Sequence, residues 1–127
     1  MSDIELTGKR YWLVGAGDGL GKALAHHMSR AGIEVIVSAR SEDKLAALAE
    51  ELPGKASYQP VDISDDDSVK AAAEAVGEID GVVLLAGVYW PFSAREWDAN
   101  QAVAMADVNF TGFMRVLGQA VPQFVEK

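Results

Sequence analysis

Short apolar runs alternate along the whole chain with segments in which apolar side chains recur every three or four residues. The first pattern reads as a strand buried on both faces and the second as an amphipathic helix. Strands are predicted at about residues 10–14, 33–38, 57–61 and 81–85. The second of these contains Val35, Ile36 and Val37, and the fourth is a Val-Val-Leu-Leu run. The helix after the first strand presents Leu20, Leu24 and Met28 at helical spacing and stops at Gly32. The next helix is capped by Ser41, carries Glu42 and Asp43 in its first turn, turns Leu45, Leu48 and Leu52 inward, and ends at Pro53-Gly54. Ser64-x-x-Asp67 has the form of a capping box opening a helix to Val76. Residues 88–95 read as a loop, and one long helix is predicted over 98–126. Strand and helix in strict alternation predict βαβ units and a parallel sheet covered on both faces, a doubly wound α/β fold built as one domain over residues 1–127.

The connection from the first strand to the first helix carries the chemistry. It reads Val-Gly-Ala-Gly-Asp-Gly-Leu-Gly from Val14 to Gly21. The dinucleotide spacing G-x-G-x-x-G counted from Gly15 would need glycine at position 20, which is Leu20. Gly15, Gly19 and Gly21 fit G-x-x-x-G-x-G instead. Glycines so placed let the chain turn off a strand, approach a pyrophosphate closely and start a helix whose free N–H groups face that anion. Gly15, Gly17, Asp18, Gly19, Leu20 and Gly21 are thus expected to form a dinucleotide phosphate turn. The plainer alternative is a tight connection that binds nothing.

Composition narrows the partners. Half of the 127 residues are hydrophobic, enough for a proper core. A net charge of -8 and the lack of any Lys/Arg cluster argue against nucleic acid and anionic membrane. The longest uncharged stretch, residues 81–94, is shorter than the roughly 18 apolar residues of a membrane span and contains glycine and proline. The chain has no cysteine and opens with acidic residues where a secretory signal would be basic, so a cytoplasmic setting is expected. No metal site is expected: His26 and His27 are adjacent on a helix and point apart, and Asp65, Asp66 and Asp67 read as helix-start carboxylates.

With Arg40 after the second strand, Asp62 after the third, Ala86-Gly87 after the fourth and Asn109 in the last helix, the glycine turn resembles that of the short-chain dehydrogenase/reductase family. The resemblance covers the chain as the amino-terminal half of such a protein. With right-handed crossovers it implies a Rossmann-like sheet of strand order 3-2-1-4, truncated at about four strands, with the ligand above the carboxyl ends. It also implies an oxidoreductase moving a hydride between a nicotinamide and a carbonyl or alcohol substrate, with Tyr as acid/base, Lys four residues later and Ser orienting the substrate. Tyr11, Tyr58 and Tyr89 are followed four residues on by Gly15, Asp62 and Ser93, so the chain holds no Tyr-x-x-x-Lys and is expected to be inactive alone.

Individual positions follow from the resemblance. NAD-binding relatives carry a carboxylate at the end of the second strand, where this chain has Ala39; the neighbouring Arg40 can meet a 2′-phosphate, which favours NADP(H) and leaves NAD(H) possible. Asp18 argues the other way, since some NADP-binding relatives have a basic residue there. Asp62 and Ile63 correspond to the adenine contact, and Asp62 has a plainer reading as a turn residue. Ala86 and Gly87 correspond to the close backbone approach to the ribose, while Leu84-Leu85 replaces the family's two asparagines and Val14 its threonine. Asn109 corresponds to the Asn that holds a relay water. The last helix often packs against its counterpart in a homo-oligomer, and Phe110, Phe113, Met114 and Leu117 suit that or burial against their own sheet. Trp90 and Phe92 suit the near wall of a substrate pocket. An uncharged fourth strand at the sheet edge needs cover. The rival readings are a non-catalytic NAD(P)-binding or partner-pairing module, and a structural fragment that binds no cofactor.

Overall fold

The structure, a computed structural model, describes residues 5–17, 19–85 and 93–126. Its strands are β1 (Arg10–Val14), β2 (Glu34–Ser38), β3 (Ala56–Tyr58) and β4 (Gly81–Leu84). The helices are α1 (Gly19–Arg30), α2 (Glu42–Glu51), α3 (Asp66–Val76), α4 (Ala99–Ala106) and α5 (Gly112–Glu126), with a 3-10 turn at Ala94–Glu96 before α4. One parallel sheet in the order β3-β2-β1-β4 joins the strands, as the family pattern implied.

Alternation along the two central strands builds a core on each face. Trp12, Val14 and Ile36 point to one side and meet Val69, Ala72 and Val76 of α3 and Val116 and Ala120 of α5. Leu13, Val35 and Val37 point to the other and meet Ala25 and Met28 of α1 and Leu45, Leu48 and Leu52 from α2 and its end. Trp12, Leu13 and Val35 are fully buried, each leucine-sized side chain contributing about 2 kcal/mol of transfer free energy. The buried indole Nε1–H of Trp12 donates to Ser38 Oγ at 2.7 Å, so the one polar atom of this core tryptophan is satisfied.

Several local expectations change. β3 is short, yet its ladder runs on: Gln59 N–H donates to the Val37 carbonyl and Val61 N–H to the Ala39 carbonyl. The cap of α3 is Asp65, whose carboxylate accepts from Asp67 N–H and Ser68 N–H; Ser64 turns back to Asp62 instead. Ser64 is already engaged by Asp62 Oδ1 through both its hydroxyl and its amide, which leaves the Asp65 carboxylate to meet the free N–H groups at the positive helix end. Ser41 holds the N-cap position of α2 without a side-chain cap bond. Leu20 is 74% exposed, because the first turn of α1 projects beyond the sheet.

The long helix predicted over 98–126 runs unbroken from Ala99 to Glu126, with its middle turn, Asp107–Thr111, wound as a π-helix between α4 and α5 and Asp98 capping α4 through the Gln101 N–H. Phe113 packs against the core, whereas Phe110 and Met114 are exposed. Pro122 sits inside α5, and the side chain of the following Gln123 accepts from Ile79 N–H, tying α5 to the lead-in of β4. At the same end Arg10 donates to the Val76 and Glu78 carbonyls and pairs with Glu34 at 3.0 Å, closing the end of α3. His26 is half-buried and bonds Glu51 across α1 and α2 at 2.7 Å; His27 is exposed. β4 pairs only with β1 among the described residues, and its side chains are half-buried.

Candidate nucleotide-binding site

A cleft of about 440 Å³ opens at the carboxyl ends of the strands. Its floor is the turn between β1 and α1, with Gly15, Gly17, Gly19, Leu20 and Gly21 on the wall. Gly15 has φ +101°, a conformation side chains rarely adopt, and its N–H and that of Ala16 both donate to the Ser38 carbonyl. A Cβ on Gly21 would collide with the Gly15 carbonyl oxygen, so α1 starts against the end of β1 only because this position has no side chain. The first turn of α1, from Gly19, contains no acidic residue, whereas α2 and α3 begin with two each. Such a floor suits an anion approached by backbone.

The far end of the cleft carries positive charge. Arg40 follows β2, is exposed, and lines the wall beside Ala39, Ser41 and Lys44. Ser41 and Lys44 were not foreseen as site residues. Lys44 is on the first turn of α2, and Arg40 precedes that helix across the extended Ser41, so the loop and the helix start bring both cations to the cleft.

Asp62 and Ile63 form the third wall with Val61. Asp62 Oδ1 accepts from Ser64 Oγ at 2.6 Å and Ser64 N–H at 3.0 Å, and its own N–H donates to Ser68 Oγ at 2.9 Å. The Ser64 hydroxyl, then the Ser64 amide, hold the Asp62 carboxyl below its ordinary range, with the charges of Arg40 and Arg115 adding to this. The turn role and the wall position therefore coincide in one residue. Val108, in the π turn, closes the remaining side with Leu85. Asn109 is the next residue of that turn; it is exposed and does not itself line the cleft. A π turn inside a helix is costly and often marks a functional position. Asp18, Ala86, Gly87, Trp90 and Phe92 lie outside the described residues. Among the described residues no group of acidic, His or Cys side chains could hold a metal, and no helix is long and apolar enough to cross a membrane.

A parallel sheet of order 3-2-1-4 with a glycine-floored cleft at its carboxyl ends defines a Rossmann-like nucleotide-binding fold. The family model described as short chain dehydrogenase matches residues 9–127, and the chain belongs to that family. It is 31% identical to a glucose 1-dehydrogenase of Gluconobacter oxydans, covering 94% of this chain and 48% of that protein. An uncharacterized oxidoreductase of Staphylococcus epidermidis is 29% identical over 91% of this chain and 52% of its own length. Among solved structures, a short-chain type dehydrogenase/reductase from Mycobacterium ulcerans superposes with a TM-score of 0.87 at 31% identity, over 97% of this chain and 49% of that one. The chain thus spans about half the length of the curated relatives it matches. Members of the family bind nicotinamide dinucleotides.

Proposed function

We propose that the chain is the NADP(H)-binding portion of an oxidoreductase that moves a hydride between the nicotinamide and a carbonyl or alcohol in the complete protein, residues 1–127 acting as one dinucleotide-binding domain. The observation that carries this reading is the cleft whose glycine floor meets the first turn of α1 and whose far wall carries Arg40, Ser41 and Lys44. When bound, the dinucleotide supplies the hydride or accepts it. The chain's own residues bind and orient. Gly15, Gly17, Gly19 and Gly21 bring backbone N–H groups to the pyrophosphate, with Asp18 and Leu20 between them and the Leu20 side chain covering an apolar part of the ligand. Arg40 donates to the 2′-phosphate as a planar fork, with the Lys44 ammonium as a second cation. Asp62, held ionised, accepts from the adenine amine beside Ile63. Ala86 and Gly87 pass close to the ribose, and Asn109 holds a water of the proton relay.

The Tyr-x-x-x-Lys pair is absent from these 127 residues, so no turnover is expected from the chain alone. The uncharged β4, which pairs only with β1 among the described residues, favours a second reading, a non-catalytic dinucleotide-binding or partner-pairing module. Reading the transcript past Lys127 separates them: an in-frame Tyr-x-x-x-Lys supports the enzyme, and a stop codon the module. Exposed Phe110, Met114, Val121 and Val125 support self-association through α5. The lack of cysteine supports a cytoplasmic setting.

Calorimetric titration with NADPH and then NADH at fixed salt tests the proposal, because the 2′-phosphate is the only difference between the two. Tighter NADPH binding is expected. Preference for NADH would remove the role of Arg40, and binding of neither would remove the dinucleotide reading.

A further inference from the structure

Arg115, on the first turn of α5, joins three separate pieces of the molecule. Its Nη1 donates to the Ile63 carbonyl at 2.9 Å, its Nη2 to Asp107 Oδ1 at 2.9 Å, and its Nε to Asp66 Oδ1 at 2.7 Å. Ile63 belongs to the wall that faces the adenine side of the cleft, and Asp107 is the first residue of the π turn that carries Asn109. The side chain is only 18% exposed, and its bonds to the Ile63 carbonyl and to Asp107 are part-buried, whereas Asp66 lies in solvent at 83% exposed. A second contact runs in parallel: a Cβ on Gly112 would meet the Ile63 side chain at 2.9 Å and the Ile63 carbonyl oxygen at 3.0 Å. The loop after β3 is therefore seated on the start of α5, and the same carbonyl that touches Gly112 is gripped by Arg115.

We propose that Arg115 is a positioning residue that couples the adenine wall of the cleft to the π turn bearing Asn109. This rests on the dinucleotide reading above. A ligand that fills the adenine side braces the 61–63 loop, and the bracing reaches the turn through the guanidinium, whose planar fork holds the Ile63 carbonyl and the Asp107 carboxylate in one fixed relation. A lysine ammonium keeps the charge without that two-armed geometry. The site thereby orders the helix on its nicotinamide side in response to a contact made at its adenine side.

The test uses 5′-AMP, which fills the adenine side and stops short of the nicotinamide side, with amide hydrogen exchange followed residue by residue by NMR. In the unaltered chain AMP is expected to slow exchange at residues 62–64 and also at residues 110–112, past Val108, which lines the cleft directly. Asp107→Ala removes one arm of the strut and leaves the Ile63 arm in place. It should bind AMP within about twofold of the unaltered chain, keep the slowing at 62–64 and, through the direct Ile63 contact, at Gly112, and lose it at 110–111, by about tenfold for one charge-assisted bond. Arg115→Lys should lose it as well, with weaker AMP binding. Circular dichroism confirms that each variant is folded, and a merely structural role predicts faster exchange that AMP leaves unchanged. Persistence of the AMP effect at 110–111 in folded Asp107→Ala overturns the coupling. So does AMP binding to the unaltered chain with no effect at 110–112, while the dinucleotide reading survives. Failure of AMP and NADPH alike to bind overturns both.

Discussion

Gly21 lies against the carbonyl oxygen of Gly15, with no room for even a methyl group between the start of α1 and the end of β1. Gly21→Ala must push the helix off the strand. A destabilisation of about 1–3 kcal/mol is expected from overpacking, with dinucleotide affinity down at least about tenfold. Gly118→Ala is the control, because nothing lies near that position and alanine is the better helix former, so unfolding free energy should rise by about 0.5–1 kcal/mol. Denaturant unfolding and calorimetry on both variants read the difference.

Ser38 serves the same turn from below. Its hydroxyl accepts from the buried Trp12 indole, and its carbonyl accepts from Gly15 and Ala16. Ser38→Ala leaves the indole N–H without that partner in a dry core, which costs about 1–3 kcal/mol. The expected result is a lower urea midpoint with an unchanged slope. An unchanged midpoint would mean that the indole finds another acceptor.

Arg40 and Lys44 should act on one half of the ligand only. Arg40→Ala is expected to weaken NADPH binding by about tenfold or more, the size of a lost charge-assisted hydrogen bond, and to leave NADH within about twofold. Lys44→Ala should act in the same direction with a smaller effect, since its ammonium is a point charge on a flexible stem. Equal losses for both dinucleotides would place these cations on the pyrophosphate instead.

The Asp62–Ser64 turn makes a pH prediction. Because its hydrogen bonds lower the folded pKa of Asp62, the stabilisation is fully present above the unfolded value of about 3.9 and is lost as pH falls through the lower folded value. Ser64→Ala removes the largest cause of that lowering. The variant should be less stable at neutral pH, and the gap should close below about pH 4. A gap that is constant from pH 7 to pH 2, measured by thermal unfolding, would show that Ser64 acts through packing and not through the carboxylate.

The two central strands were legible because a short apolar run between charged and glycine punctuation, aromatic in β1 and β-branched in β2, has few other uses, and Leu45, Leu48 and Leu52 identified the buried side of α2 by spacing alone. Leu20 has the same spacing relative to Leu24 and Met28, yet it is exposed at the cleft. Periodicity reports which residues share a face. It does not report where along the helix the sheet ends. Asp65 displaced Ser64 as a cap because the choice depends on how the chain enters α3, and Ser64 was already engaged with Asp62.

The glycine spacing from 15 to 21, Arg40 and Asp62 were readable as one constellation because each follows a strand directly, and parallel strands bring their carboxyl ends to the same edge of a sheet. Local chemistry was enough for the fold class and for the glycine, Arg40 and Asp62 walls of the cleft, while the strand order came with the family resemblance. The π turn around Asn109, the contribution of Lys44 and the Arg115 strut were decided only by tertiary packing. Each depends on which residues distant in sequence meet across a layer, Ile63 against Gly112 above all, and a contact of that kind leaves no period in the chain.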